Sequence, residues 1–476
     1  MPSPDAAPRS PLGRVRDWVT SMSTHSPSRF AVLAFTGIIF LFTFVLMLPI
    51  SSADGTMTPF PQALFTAVST ICVTGLAVVD MADHWSVFGD GVVFLGLQVG
   101  AIGVLTLASI LGTAVTRKLG LRQRLMAASD QNSLRLHSGP VAESQAVRLG
   151  DIPAVLATVA VSLVIIETII AVLIMPVLLL QPDYGPWWVA VRDAFYYAAS
   201  AFTNTGFTPN AEGLAPFDHN LWFLLCLCTA VFIGSIGFPV IFALTRWVKN
   251  RQRLSVHVKL TLATTIILFV IGWAVIYLLE FDNPETLAGQ EPWFAPFTAG
   301  FTSAMTRSGG FTTVDVASMN DSTLTVMSML MFVGGGSAST AGGIKVTTIA
   351  ILFLAAVAEA KGVQDIQVFR RRIPNDVLRL AVAVALWGAT IVAVASITLM
   401  HITGTEFKYA LFDTISAFAT CGLSTGLTQN LPDSGVFVLT ATMWLGRVGT
   451  VTFAAAVASS DRKQLYTLPE ERIIVG

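Results

Sequence analysis

The sequence predicts an all-α membrane protein in which four pseudo-repeated units, each a helix, a pore loop and a second helix, surround one central pore with eight transmembrane helices. Three observations predict this fold class. Hydrophobic residues make up 54% of the 476 residues and charged residues only 12%, with a mean hydropathy of +0.70. The basic residues fall in blocks separated by long apolar stretches. Each stretch repeats the same order of segments, which is typical of internal repetition.

The composition excludes several classes of protein. A soluble domain carries about 25% charged residues, roughly twice the fraction found here, so a soluble enzyme, a disordered protein and a nucleic-acid-binding protein are excluded. A membrane-spanning helix needs roughly 20 apolar residues, and the chain has room for eight or more. The four cysteines form no C-x-x-C pair, so neither a disulfide framework nor a zinc site is indicated.

The basic blocks predict which side of the membrane each loop faces. Of the 28 Lys and Arg residues, 23 lie in five blocks. These blocks are residues 1–29, 116–151, 246–259, 360–380 and the segment after 460. Basic loops face the cytoplasm, so each apolar stretch must leave the cytoplasm and return to it. We therefore expect 1–29 to be a cytoplasmic lead-in without a signal-peptide pattern, and 461–476 to be a cytoplasmic tail.

The four units have the same internal plan. They cover residues 30–116, 152–246, 256–361 and 376–460. The opening helices are predicted near 30–50, 153–180, 257–280 and 377–401. The closing helices are predicted near 87–115, 220–245, 322–360 and 434–459. All four units run in the same direction, unlike the inverted repeats of many secondary transporters.

Between the two helices of each unit lies a segment of about a dozen residues. At 1.5 Å per residue such a helix cannot cross a bilayer core of about 30 Å, so it must enter and return. Each segment ends in a glycine followed by Leu or Phe, and in three units a serine lies six residues before that glycine. The segments lie near 61–71, 192–202, 293–304 and 408–418.

The returning chains predict a cation filter lined by backbone carbonyls. Extended backbone at membrane depth is tolerated only where it is buried in protein or faces water, and carbonyl oxygens can replace the water shell of an ion. The alternative is four unrelated re-entrant turns. The side chains at the four windows differ, so the backbone is their common element. The windows are Cys72, Val73, Thr74 and Gly75; Thr203, Asn204, Thr205 and Gly206; Arg307, Ser308, Gly309 and Gly310; and Ala419, Thr420, Cys421 and Gly422.

Two acidic residues follow the first and third windows at the same distance. Asp80 and Asp315 lie five residues beyond Gly75 and Gly310. These carboxylates could attract cations at an outer mouth, or they could cap a turn. The sequence leaves both interpretations open.

The closing helix of the third unit must break at 334–343. Residues 323–358 contain no ionisable side chain except Lys345, and as one helix they would run about 54 Å. The glycine-rich segment would make a poor helix, and we expect it to lie across the pore as a gate. A passive kink is the alternative, whereas a phosphate-binding loop is excluded because Ile344 interrupts the required pattern. The candidate gate residues are Gly334, Gly335, Gly336, Ser337, Ser339, Thr340, Gly342 and Gly343.

Two cationic residues lie within apolar segments near the predicted pore. Arg447 is in the middle of the last helix and Lys345 follows the glycine-rich segment. A charge at this depth is unfavourable unless it faces protein or water. We therefore expect Arg447 to repel a permeant ion or to donate hydrogen bonds to the gate segment. Lys345 could do either, or its amine could extend to the inner membrane surface, whereas Arg307 is expected to brace its loop from behind. Glu167 requires a buried partner that the sequence does not identify.

These motifs resemble the Trk/Ktr/HKT superfamily of potassium-translocating membrane proteins. The resemblance is carried by CVTGL, TNTGF, RSGGFTTVD and ATCGLSTGL at the windows, by GGGSASTAGGIKVTT in the third unit and by Arg447. No helix pair precedes the first unit, and the end of the chain, PEERIIVG, is similar to Ktr-type ends. The Ktr-type membrane subunit is therefore the nearer match within the superfamily.

The resemblance implies a potassium uptake subunit in the cell membrane. It implies a homodimer in which each protomer has its own pore, and a cytoplasmic RCK-type ring of regulatory subunits that bind ATP or ADP. It implies no cofactor in this chain, with K⁺ as the transported ion. Glycine at all four windows resembles potassium-selective members, since sodium-selective plant relatives carry serine at the first.

Two alternatives belong to other classes. An ion-coupled secondary transporter of a small solute would place several ionisable residues at mid-membrane, and the sequence has few. A membrane enzyme would need a nucleophile with a base, or a set of metal ligands. No such constellation is visible in the sequence, so an enzyme is not expected.

Overall fold

The computed structural model describes residues 27–117, 152–182, 184–251, 253–363 and 365–449, and the regular secondary structure of these residues is almost entirely helical. Most of the predicted lead-in, the predicted tail and the end of the fourth unit lie outside the described residues. The helices are α1 (Pro27–Leu46), α2 (Phe60–Ile71), α3 (Val87–Arg117), α4 (Ile152–Leu180), α5 (Trp187–Phe202), α6 (Leu221–Ile236), α7 (Phe238–Asn250), α8 (Val256–Glu280), α9 (Ala295–Met305), α10 (Asp321–Phe332), α11 (Val346–Ala360), α12 (Asn375–Thr403), α13 (Phe407–Ala419) and α14 (Asp433–Trp444). Strands β1 (Gln367–Val368) and β2 (Arg371–Arg372) form an antiparallel hairpin before α12.

The order of a long helix, a short helix and a closing helix recurs four times along the described chain. The long helices are α1, α4, α8 and α12, and the short helices are α2, α5, α9 and α13. The short helices are the most enclosed: in α2 every residue from Phe65 to Ile71 is buried. Exposed apolar side chains lie on the long helices instead, which is what a lipid-facing surface requires.

Three described helices are long and apolar enough to cross a membrane. They comprise Val159–Leu180, Val256–Glu280 and Asn375–Thr403. The pair α6 and α7 meets the same criterion as one bent span. Only these spans meet the criterion among the described residues, so the count of eight spans stays a prediction.

The predicted continuous helix 220–245 is wrong, because the chain bends by 101° between α6 and α7. Gly237 takes a φ of +92° at the bend, a conformation that glycine adopts without steric cost. Pro239 follows at the second position of α7, where its missing N–H leaves no helical bond unmade. The Gly-Phe-Pro triplet was therefore a signal for this break.

The closing helix of the third unit is interrupted as the sequence predicts. Helix α10 ends at Phe332 and α11 begins at Val346. Val333 and Ile344 form an isolated parallel bridge at the two ends of the intervening segment. The segment is therefore closed into a loop at its base.

Two buried carboxylates have their partners in neighbouring elements. Gln98 of α3 donates a hydrogen bond of 2.7 Å from Nε2 to Oε2 of Glu167 in α4, which identifies the partner that the sequence leaves open. Glu280 is fully buried at the end of α8. It accepts hydrogen bonds from Nδ2 of Asn283 at 2.7 Å, Oγ1 of Thr286 at 2.7 Å and the N–H of Asn320 at 2.9 Å. Glu280 thus joins the end of α8 to the start of α10.

We expect Glu280→Ala to destabilise the fold strongly. The change leaves three donors without their acceptor, among them the buried Thr286 hydroxyl, at a cost of roughly 2 kcal/mol, and the melting temperature in detergent should fall clearly. Glu285→Ala is the matched control, because Glu285 is exposed and only its backbone N–H is hydrogen-bonded. Equal melting temperatures for the two variants would contradict this role of Glu280.

Candidate cation filter and gate

The four short helices end in turns with the same backbone path. The second residue before each window glycine takes a left-handed φ, although none of these residues is glycine, and the window glycine also has a positive φ. A non-glycine residue in this region is strained unless its surroundings hold it there. The left-handed residues are Val73 (57°), Asn204 (61°), Ser308 (69°) and Thr420 (47°), and the glycines are Gly75 (87°), Gly206 (87°), Gly310 (72°) and Gly422 (91°).

The serines that precede three of the glycines explain how these turns are held. In those units the carbonyl oxygen of the serine accepts the N–H of the residue before the glycine. In the third unit, which carries one extra residue, Met305 O takes this role and accepts the N–H of Gly309 at 2.8 Å. The three serine bonds are Thr74 to Ser69 at 2.7 Å, Thr205 to Ser200 at 2.8 Å and Cys421 to Ser416 at 2.8 Å.

Two of the serine hydroxyls also fix the chain beyond the glycine. Ser69 Oγ donates to Leu76 O and Ser200 Oγ donates to Phe207 O, each at 2.7 Å. The strand that leaves the turn is therefore tied back to its own short helix. These bonds explain in structural terms why a serine recurs at this position in these two units.

The four turns meet at one place. In each turn, the residue before the glycine has a carbonyl oxygen that points at the glycine of a different turn. If that glycine carried a Cβ, the oxygen would lie within 3.0 Å of it. The distances from a Cβ built on that glycine are 2.5 Å from Thr74 O to Gly422, 2.8 Å from Thr205 O to Gly310, 2.8 Å from Gly309 O to Gly206 and 3.0 Å from Cys421 O to Gly310. A Cβ on Gly75 would overlap Thr205 O. Backbone oxygens therefore occupy the meeting point, and side chains cannot enter it.

Several window side chains are engaged within the protein. Ser308 Oγ donates to Ala419 O at 3.2 Å, and Cys421 Sγ donates to Met305 O at 3.4 Å. Each of these bonds joins the third turn to the fourth. The thiol of Cys72 is fully buried as well.

Asn204 makes the most extensive contacts of any window side chain in the described structure. Its Nδ2 donates to Val231 O of α6 at 3.2 Å and to Arg307 O of the third turn at 3.3 Å. Its Oδ1 accepts a hydrogen bond of 3.1 Å from Oγ1 of Thr340. One amide therefore links two turns, a helix and the glycine-rich segment.

The segment 334–343 packs against the turns. Oγ1 of Thr340 lies 3.1 Å from Gly234 O and 3.4 Å from Phe202 O, the last residue of α5. A Cβ on Gly342 would lie 2.8 Å from Ala419 O, at the end of α13. The segment thus covers the ends of two short helices, on the side from which those helices enter the turns.

The same segment is bonded to the bend between α6 and α7. The N–H of Gly336 donates to Ser235 O at 2.7 Å, and the N–H of Phe238 donates to Ala338 O at 3.2 Å. At Gly237 a Cβ would lie 2.6 Å from Ser337 O. The bend that the sequence analysis missed therefore provides the surface on which the segment rests.

Two buried arginines and one half-buried lysine surround the turns and the segment. Arg307 Nη1 donates to Val333 O at 2.8 Å, Lys345 Nζ donates to Ala341 O at 2.7 Å, and Arg447 Nη1 lies 3.4 Å from Thr420 Oγ1. Arg447 lies in a π-helical turn, Leu445–Gly449, that follows α14, and such turns are frequent at functional sites. Across the described ranges, none of the three forms an ion pair.

Asp80 and Asp315 both hold turns of their own. Asp80 Oδ1 accepts the N–H of Ala82 at 2.9 Å, and Asp315 Oδ1 accepts the N–H of Ala317 at 3.0 Å. Asp315 Oδ2 also accepts from Ser318 Oγ at 2.9 Å. The turn-capping interpretation therefore has a geometric basis. An ionised carboxylate also keeps its charge while it caps a turn.

Sequence reasoning overlooked Asp413, which is fully buried in α13. Its carboxylate accepts from Ser424 Oγ at 2.7 Å, Thr428 Oγ1 at 2.7 Å and the N–H of Thr425 at 3.0 Å. These donors lie on the chain that leaves the fourth turn. The run of Ser and Thr after Gly422 was the signal for such a partner.

The chain is similar to known cation transport proteins. The model of the TrkH family, described as "Cation transport protein", matches residues 10–465. The chain is 31% identical over 463 residues to the "Ktr system potassium uptake protein B" of Bacillus subtilis, which covers 97% of this chain and 99% of that protein. It is 29% identical over 472 residues to the "Potassium/sodium uptake protein NtpJ" of Enterococcus hirae, covering 97% of this chain and 99% of that protein.

A solved structure is similar in fold. The potassium transporter TrkH from Vibrio parahaemolyticus superposes with a TM-score of 0.67 at 19% sequence identity, covering 90% of this chain and 83% of that chain. The likeness confirms the predicted all-α class.

Because the thiols of Cys72 and Cys421 are fully buried, we expect a charged methanethiosulfonate reagent to leave both unmodified in the folded protein. Both should react once the protein is denatured. Mass spectrometry of tryptic peptides measures the modification at each site. An Asp315→Cys variant serves as the positive control, because residue 315 is exposed. Rapid modification of Cys421 in the folded protein would mean that this side chain faces the water path.

Proposed function

The chain belongs to the TrkH family of cation transport proteins, and from that membership we propose that it is the potassium-translocating membrane subunit of a bacterial potassium uptake system. The observation that carries the proposal is the convergence of four backbone oxygens, Thr74 O, Thr205 O, Gly309 O and Cys421 O, at the meeting point of the turns. We propose that this point is the selectivity filter at the centre of the four repeated units.

The chemistry of a potassium ion fits this arrangement. An ion that leaves water for a low-dielectric interior loses tens of kcal/mol of solvation, and carbonyl oxygens can replace its water shell. The four short helices end at the turns, so the negative ends of their dipoles face the same point. An uncharged lining of this kind holds a monovalent cation weakly enough for it to leave again.

The names of the relatives indicate which ion we propose is transported. The curated relatives named above are described as uptake proteins for potassium, or for potassium and sodium. Glycine at all four windows supports potassium as the preferred ion. Positive φ values and the neighbouring oxygens leave no room for a larger residue at these positions.

We propose that residues 334–343 form the gate below the filter. The segment rests on the ends of α5 and α13 through Thr340 and Gly342, so an ion that leaves the filter on this side would meet it. Lys345 and Arg447 lie beside the segment and the fourth turn. Their positive charges would repel a cation while the segment is in place, and would move or be screened when it opens.

The assembly and orientation are further parts of the proposal. The basic loops support cytoplasmic termini. The relative named as part of a Ktr system supports a partnership with a regulatory subunit. We propose that this partner is a cytoplasmic RCK-type ring that binds ATP or ADP, and that the membrane subunit is a homodimer. Asp80 and Asp315 lie beyond the filter on the outward-running strands, where they would raise the local concentration of cations.

We expect Gly75→Ser to abolish or greatly weaken the preference for potassium. A side chain at this position would meet Thr205 O, so the turns must move apart and the oxygens must separate. The measurement is growth of potassium-uptake-deficient cells on limiting K⁺, together with ⁸⁶Rb⁺ and ²²Na⁺ uptake. Discrimination between the two ions should fall at least tenfold.

Gly55→Ser is the control for this variant. Gly55 also has a positive φ of +67°, but nothing lies within 4 Å of its side-chain position. The control should keep wild-type uptake and discrimination. If Gly75→Ser transports and discriminates as the control does, the turns do not form the filter.

We expect Thr340→Val to raise potassium flux several-fold. Valine keeps the shape of threonine but removes the hydroxyl that bonds to Asn204 Oδ1 and Gly234 O, which weakens the hold of the segment on the filter. Flux in proteoliposomes without the regulatory subunit measures the effect. Thr325→Val is the matched control, since the exposed Thr325 hydroxyl donates to Asp321 O within α10 and lies outside the segment. An unchanged flux in Thr340→Val would remove the gate from the proposal.

A further inference from the structure

Helix α7 turns sharply away from α6, so that α7 lies near the membrane plane if α6 crosses the membrane. Helix α6 packs against α4 and α5 in the body of the molecule, and α7 leaves it at 101°. The first turn of α7 contains the buried residues Phe238 and Val240, whereas all residues from Thr245 to Asn250 are exposed. The helix therefore begins inside the protein and ends outside it.

The two faces of α7 differ sharply. Ile241, Leu244 and Val248 share one face at spacings of three and four residues, and Arg246 and Lys249 share another. Val248 is 68% exposed and Trp247 is 41% exposed. Ile241 and Leu244 are half-buried against the protein, which leaves Trp247 and Val248 as the apolar side chains of α7 that can enter a membrane. Exposed apolar side chains beside basic ones are typical of helices that lie in the interface between headgroups and acyl chains.

All charged residues on α7 and on the chain that follows it, up to Glu280, are basic. Arg251 and Arg253 follow the helix and are exposed, and the guanidinium of Arg251 lies 5.8 Å from the ring centre of Trp247. No acidic residue occurs in the sequence between Asp218 and Glu280. None of the four basic side chains forms an ion pair with a described residue, so the cluster lacks a counter-charge from this part of the protein.

We propose that α7 and the two arginines after it bind the phosphate headgroups of anionic lipids in the leaflet that the basic loops face. Trp247 and Val248 enter the region below the headgroups, while Arg246, Lys249, Arg251 and Arg253 reach the phosphates. Basic clusters next to a membrane span attract anionic lipid in this way, and the orientation of α7 favours a lipid over a protein as the occupant.

The bound lipid would act on the segment 334–343. In the first turn of α7, the N–H of Phe238 donates a hydrogen bond of 3.2 Å to Ala338 O. Gly237, just before α7, lies against Ser337 O. Lipid that holds α7 in the plane therefore stabilises the segment where it now lies. This step rests on the proposed function, because it takes the segment to be the gate.

The test compares a fourfold variant with a charge-matched control. The variant carries Arg246→Gln, Lys249→Gln, Arg251→Gln and Arg253→Gln. The control carries Lys361→Gln, Arg370→Gln, Arg371→Gln and Arg379→Gln, which are exposed residues around the β-hairpin. The full chain is purified in each form and equilibrated with equal amounts of phosphatidylglycerol and phosphatidylcholine, and native mass spectrometry counts the retained lipids.

Wild type and control should retain phosphatidylglycerol over phosphatidylcholine, and the fourfold variant should retain at least fivefold less phosphatidylglycerol. Equal retention by variant and wild type, or an equal loss in the control, would overturn the lipid site. So would unchanged lipid retention combined with loss of a regulatory subunit from the variant, since that would assign the surface to a protein.

Potassium flux in liposomes tests the second step. In phosphatidylglycerol liposomes the fourfold variant should be several-fold faster than wild type, and in phosphatidylcholine liposomes the two should be equal. Equal flux in both lipids, with lipid retention reduced, would overturn the link to the gate. A wild-type protein that retains phosphatidylglycerol but carries no K⁺ in any liposome would contradict the proposed function and leave the lipid site standing.

Discussion

The structure depends on one constraint, which is that backbone left unpaired at membrane depth must find partners inside the protein. Four turns leave their helices at this depth, and each is held by a carbonyl of its own short helix. Ser69 and Ser200 add their hydroxyls to the outgoing strand. These bonds fix the backbone of each turn, so that the carbonyl oxygen of the residue before each glycine faces a common point.

The same constraint explains what the sequence could and could not predict. The glycine at each turn and the recurring serine are local features, and they predicted the positions of all four turns. The partners of Asn204, namely Val231, Arg307 and Thr340, lie far along the chain, so no local pattern could identify them. The bend at Gly237 had a local signal, but the apolar composition on both sides suggested an uninterrupted span.

Family membership confirms the predicted resemblance and a transport protein rather than an enzyme. The candidate site also contains three cationic side chains that stand out in the sequence because they lie within or beside apolar segments. Arg307, Lys345 and Arg447 are each held by a carbonyl or a hydroxyl, without a described carboxylate nearby to neutralise them. Cations in this state are unfavourable for stability, and their positions beside the turns and the segment point to use in function.

The amide of Asn204 has one consequence for the evolution of this protein. Its nitrogen bridges two of the four turns, while its oxygen accepts from Thr340. Any displacement of Thr340 takes away one of the bonds that fix this amide, and the amide in turn sets the spacing of both turns. If the turns are the filter and the segment is the gate, as proposed, one side chain influences both throughput and fidelity, and a substitution at this position would alter both traits together.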